Sequence, residues 1–302
     1  MKNAGEFAAL LTAMCWTVTA LAFEASSKKV GSMVVNLFRL IAGFIFLSIF
    51  CWLYRGYLFP VDAPGRTWFY LIISGLVGFT FGDLCLLQAF VIVGARISML
   101  LMALAPPITA LIGWLFLGET MTVKNLVGMA LTLTGIAIVV LKRPTSSNDD
   151  DSSKKIKFSY PVWGILLGLG GAIGQATGLV LSKSGMHGYD AFASAQIRIL
   201  AGIAGFTILF AFWNVWKTAY KALSNRKAMI QLSVGAFFGP FLGVSFSLLA
   251  VQLTTTGIAS TIMAMVPVLI IPPAFLIFKE KVTLKEILGA ILAVSGVALF
   301  FL

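Results

Sequence analysis

Apolar residues run along this chain in ten continuous blocks, at 6–26, 32–54, 68–92, 95–117, 123–141, 162–183, 190–214, 229–251, 257–278 and 284–302, separated by short polar or glycine/proline stretches. Crossing a bilayer takes roughly 20 mostly apolar residues per helix, and each block is near that length. Within a block the apolar positions are continuous and do not alternate, which argues against a membrane β-barrel. In hydrocarbon the backbone must satisfy its own hydrogen bonds, and a helix does so within one segment. The pattern predicts an all-α integral membrane protein with ten transmembrane helices. The first block has Lys2 as its only basic lead-in and Glu6 and Glu24 at its flanks, so it is read as a span and not as a leader peptide.

Composition agrees with a lipid solvent. Of 302 residues, 59% are hydrophobic and only 11% are charged, against about 25% charged in soluble domains. Mean hydropathy is +0.98. A net charge of +11 does not point to nucleic acid here, because nearly all Lys and Arg sit at the ends of the apolar blocks. That placement orients membrane proteins. With the N-terminus outside, 15 basic residues fall at cytoplasmic ends and 5 at outer ends, so both termini are expected outside a cell inner or plasma membrane. Cys15, Cys51 and Cys85 lie inside apolar blocks as small hydrophobes, with no CxxC pair to hold a metal.

The one extended polar segment, 142–160, reads as a flexible linker with five blocks on either side. Sliding 96–141 onto 257–302 without gaps matches 13 of 46 positions, among them Pro106 with Pro267, Glu119 with Glu280, Thr122 with Thr283 and Gly135 with Gly296. Earlier in the halves the offset becomes 159 and pairs Arg39 with Arg198 and Gly43 with Gly202. Five spans per half is an odd number, so the halves 1–141 and 161–302 must enter the membrane in opposite senses. Inverted repeats of this kind place a binding site near the midplane between the halves, exposed alternately to each side. The expectation is a secondary transporter.

The block "ARISMLLMALAPPITALIGWLFLGETMTVKNLVGMALTLTGIAIVV" and its copy "GIASTIMAMVPVLIIPPAFLIFKEKVTLKEILGAILAVSGVALFFL", with "MCW" at Cys15–Trp16 and "FRLIAG" around Arg39, resemble the EamA-domain branch of the drug/metabolite transporter superfamily. The resemblance covers the whole chain except the linker. It implies a ten-helix carrier of small organic metabolites, amino-acid-like solutes or related compounds, with export expected and proton coupling found in some members. A flippase for a lipid-linked substrate and a multidrug efflux carrier share the architecture and stay open as alternatives.

An ionisable group at the centre of a span costs about 2.5–3.5 kcal/mol on insertion scales, so each one is informative. Arg39 and Arg198 lie eight or so residues into their spans, about 12 Å deep. They either snorkel and brace the fold or face the cavity, and their symmetry favours a structural or gating role. Asp83 aligns with Val244 and has no counterpart, which makes it the candidate for a coupling proton; the other reading is an ion pair with Arg39. Glu24 and its register mate Lys183 mark an interface or a gate. Glu119 and Glu280 read as solvated helix ends. Trp16, Gln88, Gln175 and Gln196 are the candidate cavity residues, with packing the alternative for Trp16. Pro106 and Pro267 remove a hydrogen bond each and are candidate hinges. Gly164, Gly168, Gly171, Gly174 and Gly178 permit close helix approach. The only histidine is His187, in a short loop, and no span carries a Ser/His, HExxH, paired-Asp or Walker A pattern. No catalytic residue, metal site or cofactor is expected. The partners expected are a small-molecule substrate and membrane lipid, with no nucleic acid, for a monomer or homodimer.

Overall fold

A computed structural model describes residues 4–117, 123–140, 160–254, 256–278 and 282–301. All but Tyr160 of the linker 142–160, together with Glu119 and Glu280, lies outside the described residues. The described chain is helical, with no strand in it. In the first half, α1 (Ala4–Val30) and α2 (Ser32–Arg55) are followed by α3 (Gly65–Gly75). A π-helical segment, Leu76–Asp83, joins α3 to α4 (Leu84–Met102), and α5 (Ala105–Leu117) and α6 (Val123–Val140) complete the half. The second half runs α7 (Val162–Met186), α8 (Ala191–Trp213), α9 (Trp216–Leu223) and α10 (Arg226–Ala236). A second π-helical segment, Phe237–Gly243, leads into α11 (Val244–Leu253), α12 (Thr256–Met263), α13 (Val266–Leu269), α14 (Ile271–Phe278) and α15 (Leu284–Phe301). Among the described residues, six helical stretches are long and apolar enough to cross a membrane: Ala4–Val30, Ser32–Arg55, Gly65–Met102, Val162–Met186, Ala191–Trp213 and Arg226–Leu253.

The blocks 68–92 and 95–117 meet at a kink at Gly94, and the second of them is broken again. Helix runs from Gly65 to Met102 with a kink at Gly94, whose φ of 82° suits a residue without a side chain. The chain then stops at Ala103–Leu104 and restarts at Ala105. Pro106 and Pro107 follow at once; neither has an N–H to donate to the preceding turn, and both fit the first turn of a new helix. The block 257–278 breaks in the same place, at Ala264–Met265, just before Pro267 in the first turn of α13. What reads in sequence as one bent span is therefore two helical pieces in the first half and three in the second, with a turn at the matching place in each.

Small residues set the helix spacing. A β-carbon on Gly174 of α7 would stand 2.5 Å from Cα of Gly82, and one on Gly178 would stand 3.1 Å from Cα of Gly78, so α7 lies backbone to backbone against the first π segment. The α6–α15 contact is reciprocal. A β-carbon at Gly135 would meet the Ala293 nitrogen at 2.5 Å, and one at Gly296 the Thr132 nitrogen at 2.5 Å. Thr132 Oγ1 donates across this contact to the Ala293 carbonyl at 3.3 Å. Helix starts are capped by side chains: Asp190 accepts from the Ala193 N–H at 2.8 Å, and Thr283 with Glu286 forms a reciprocal capping box.

Candidate functional site

A cavity of about 120 Å³ opens between the two halves. That is room for roughly ten water-sized groups, the size of a small metabolite. Its walls come from α1, α2, the first π segment, α4 and α5 on one side, and from α7, the second π segment, α11, α12 and α13 on the other. Both helix breaks border it, through Met102, Ala103 and Pro106 and through Met263, Ala264 and Pro267. The lining is mostly aromatic and aliphatic, with Trp16, Phe23, Phe79, Phe90, Met99 and Met102 prominent. Thr19, Arg39, Asp83, Thr109, Gln175 and Ser260 are its polar members. Apolar walls with a few convergent polar groups give a solute surface to bury and fixed points that orient it.

The charged centre is built from α2 and the end of the first π segment. Arg39 donates from a terminal nitrogen to Asp83 Oδ2 at 2.5 Å and from Nε to Asn36 Oδ1 at 3.1 Å. Asn36, three residues earlier on the same helix, donates its amide to the Asp83 backbone carbonyl at 3.1 Å. The guanidinium lies over Phe23 at 5.3 Å and Phe79 at 5.9 Å. Side-chain exposure is 5% for Arg39 and 13% for Asp83, so the pair is shielded but edges the cavity. The π segment presents Phe79 and Asp83 together at this point; such one-turn departures from α geometry recur at functional sites.

The other sequence candidates fall in three places. Trp16 and Gln175 line the cavity with Arg39, Asp83, Pro106 and Pro267. Gln88 and Gln196 lie away from it. Gln88 accepts from Ser32 Oγ at 2.5 Å, and buried Gln196 donates to Ser48 Oγ at 3.1 Å and to the Leu58 carbonyl at 2.9 Å, tying α8 to the loop after α2. Glu24, 3% exposed, accepts from the Ala95 N–H at 3.0 Å and from Lys28 at 2.5 Å, so it caps the helix that restarts after Gly94. Lys183 is exposed near the end of α7. Arg198 is 3% exposed, with its guanidinium 4.9 Å from the Phe79 ring. Asn36 escaped sequence reading, although a polar residue one turn before Arg39 in an apolar run marked a shared helix face. The methionines Met99, Met102 and Met263 left no signal, since Met in a span reads as packing.

At the end of α2 a second polar cluster ties the loop 56–64 to the loop before α8. Arg55 donates to Asp62 Oδ2 at 2.6 Å, Tyr189 donates to Asp62 Oδ1 at 2.8 Å, and Arg55 stands 3.9 Å from Asp190. Burial, reinforced by the hydrogen bond to Asp62, pushes the Tyr189 phenol up to about 12. Burial pulls the Asp62 carboxyl upward, but the bond from Tyr189 and the Arg55 charge outweigh it and hold that carboxyl below its ordinary range.

A small cavity with a charged centre, bordered by helices apolar enough to span a bilayer, is an arrangement that a membrane solute transporter needs. Residues 3–141 and again 162–302 match the EamA-like transporter family, and the chain belongs to it. The family is one of membrane transporters, and the apolar helices of this chain suit that setting. It is 22% identical over 235 residues to human solute carrier family 35 member G1, covering 77% of this chain and 61% of that one. It is 24% identical over 197 residues to the uncharacterized transporter YvbV of Bacillus subtilis strain 168, covering 64% of this chain and 59% of that one. The chain thus spans about three fifths of the length of these relatives. Among solved structures, one crystal structure of a protein superposes with a TM-score of 0.64 at 15% identity over 98% of this chain and 96% of that one, a likeness of fold alone.

Proposed function

We propose that the chain is a secondary carrier that moves small organic metabolites, amino-acid-like solutes or related compounds, outward by alternating access through the cavity between its halves. In this reading residues 1–141 and 161–302 are inverted five-helix repeats joined by the linker 142–160, giving ten spans with both termini outside. The observation that carries it is the register of the irregular elements. An offset of 161 takes the π segment starting at Leu76 onto the one starting at Phe237, and the joint at Ala103–Leu104 onto the joint at Ala264–Met265. Helix contacts follow the same correspondence: α4 packs on α7 as α11 packs on α1, and α3 on α8 as α10 on α2. Non-helical joints deep in a membrane protein are tolerated where they line a cavity, and both joints here do.

Trp16 and Gln175 are the proposed substrate contacts, Asp83 the proposed proton carrier, and Pro106 and Pro267 the hinges. Uptake and efflux of amino acids, nucleosides and organic cations by the full chain in proteoliposomes, with and without a pH gradient, tests this. Movement of at least one solute class is expected, lowered by Trp16→Ala, with Asp83→Asn losing the gradient-driven component while retaining exchange. Movement of none would sink the carrier reading, and unchanged driven transport in Asp83→Asn would clear Asp83 of the coupling role.

A further inference from the structure

One buried charge beside the centre has no acid bonded to it among the described residues. Arg198 on α8 is 3% exposed, and its Nε has no hydrogen-bond partner among the described residues. A guanidinium so far from water is strongly disfavoured unless a counter-charge is at hand. Its register mate Arg39 is held by Asn36 and Asp83. The position in the second half that corresponds to Asp83 is Val244, so Arg198 has no acid at the matching place in its own repeat.

Two guanidiniums therefore share one ring, with one carboxylate on the same segment as that ring. Phe79 lies 5.9 Å from the Arg39 guanidinium and 4.9 Å from that of Arg198. Asp83 is bonded to Arg39, and its charge also acts on Arg198 without closing a salt bridge. Phe79 and Asp83 ride on the same π segment, and Gly78 of that segment faces Arg198 directly: a β-carbon there would stand 3.1 Å from a terminal nitrogen of the guanidinium. A π segment carries an extra residue per turn over an α-helix. Returning it to α geometry would turn Asp83 on the order of 100° about the helix axis, a rotation large enough to change which arginine it meets.

We propose that Asp83 changes partners: it pairs with Arg39 in the conformation described here and with Arg198 in the opposite-facing conformation, passing across Phe79 as the halves rock. This rests on the alternating-access reading above. Arg198 is then a positioning residue for the transport cycle, and its bare Nε marks the vacated half of a two-position switch.

The test uses Met102→Cys at the cavity joint of the full chain, with Cys15→Ala, Cys51→Ala and Cys85→Ala, reconstituted in liposomes. An impermeant maleimide is applied from either side and the ratio of the two labelling rates is read. Arg39→Gln is expected to move that ratio by about tenfold or more toward one side, and Arg198→Gln by a similar factor toward the other. Neither adds a shift to Asp83→Asn. If either glutamine variant fails to fold, the Arg→Lys variants, which keep a cation but lose the planar fork, move the ratio in the same directions by less. The proposal is overturned if both arginine variants shift the ratio the same way, if both leave it within about twofold, or if the Arg198→Gln shift persists in Asp83→Asn. Labelling from one side only in every variant means instead that the cavity does not alternate, and the exchange falls with that reading.

Discussion

Asp83→Asn isolates the charge of the central pair, because asparagine keeps the shape and one acceptor oxygen. Removing the carboxylate leaves Arg39 and Arg198, both under a tenth exposed, without the one acid acting on both. At an effective dielectric of about 20 and a charge separation of about 4 Å, one such pair is worth about 4 kcal/mol. Removing one partner of a buried pair costs about 3–5 kcal/mol by experience. Unfolding of purified protein by titrating SDS into mixed micelles is expected to show Asp83→Asn less stable by that amount. The double variant Arg39→Met with Asp83→Leu removes the bonded pair and should recover the part of the loss that belongs to Arg39, since buried pairs replaced by apolar residues are often neutral, while the part that belongs to Arg198 remains. A single variant within about 1 kcal/mol of the parent, the range of an exposed pair, would refute the reasoning.

Three further outcomes follow from the packing and the polar clusters. Gly296→Leu drives a side chain into the Thr132 backbone and should cost about 1–3 kcal/mol or more in the same assay; Gly65→Leu, with nothing within 4 Å of its β-carbon, should be nearly silent. Glu24→Ala leaves the buried Ala95 N–H without its acceptor and should cost about 1–3 kcal/mol. Tyr189 has its pKa raised in the folded state, so the stability it contributes is complete below the ordinary phenol value and is lost as pH rises through about 12. Phenolate absorbance against pH, compared with Tyr189→Phe, should show one tyrosine titrating in that range, and its titration near the ordinary value would contradict the Asp62 bond.

The helices were legible in sequence because a bilayer leaves so few solutions: long apolar runs name their own secondary structure. The joints at Ala103–Leu104 and Ala264–Met265 were half legible, since Pro106 and Pro267 marked the place but not whether the helix bends or stops. The π segments were not legible. "LVGFTFGD" fits an α-helix by composition, and Pro240 in "FFGPFLG" marks a disturbed helix without saying of what kind; the segments pack on α7 and α8 and on α1 and α2. Among candidate residues, Arg39 and Asp83 could be matched as charges within reach on neighbouring helices. Glu24 could not be assigned, because its target is a backbone N–H seventy-one residues away, exposed by the turn at Gly94. Gln88 and Gln196 were chosen for polarity within a span, a property equally well satisfied by Ser32, Ser48 and a loop carbonyl.

The central claim is that the cavity between the halves is where a solute crosses. Met102 borders that cavity at the joint of the first half. With Met102→Cys as the sole cysteine, after Cys15→Ala, Cys51→Ala and Cys85→Ala, in reconstituted protein, reaction with impermeant maleimide is expected from the inside and, separately, from the outside, each blocking solute flux, with no passive leak of the reagent across the membrane. Reaction from one side only, or full labelling with flux intact, would contradict it.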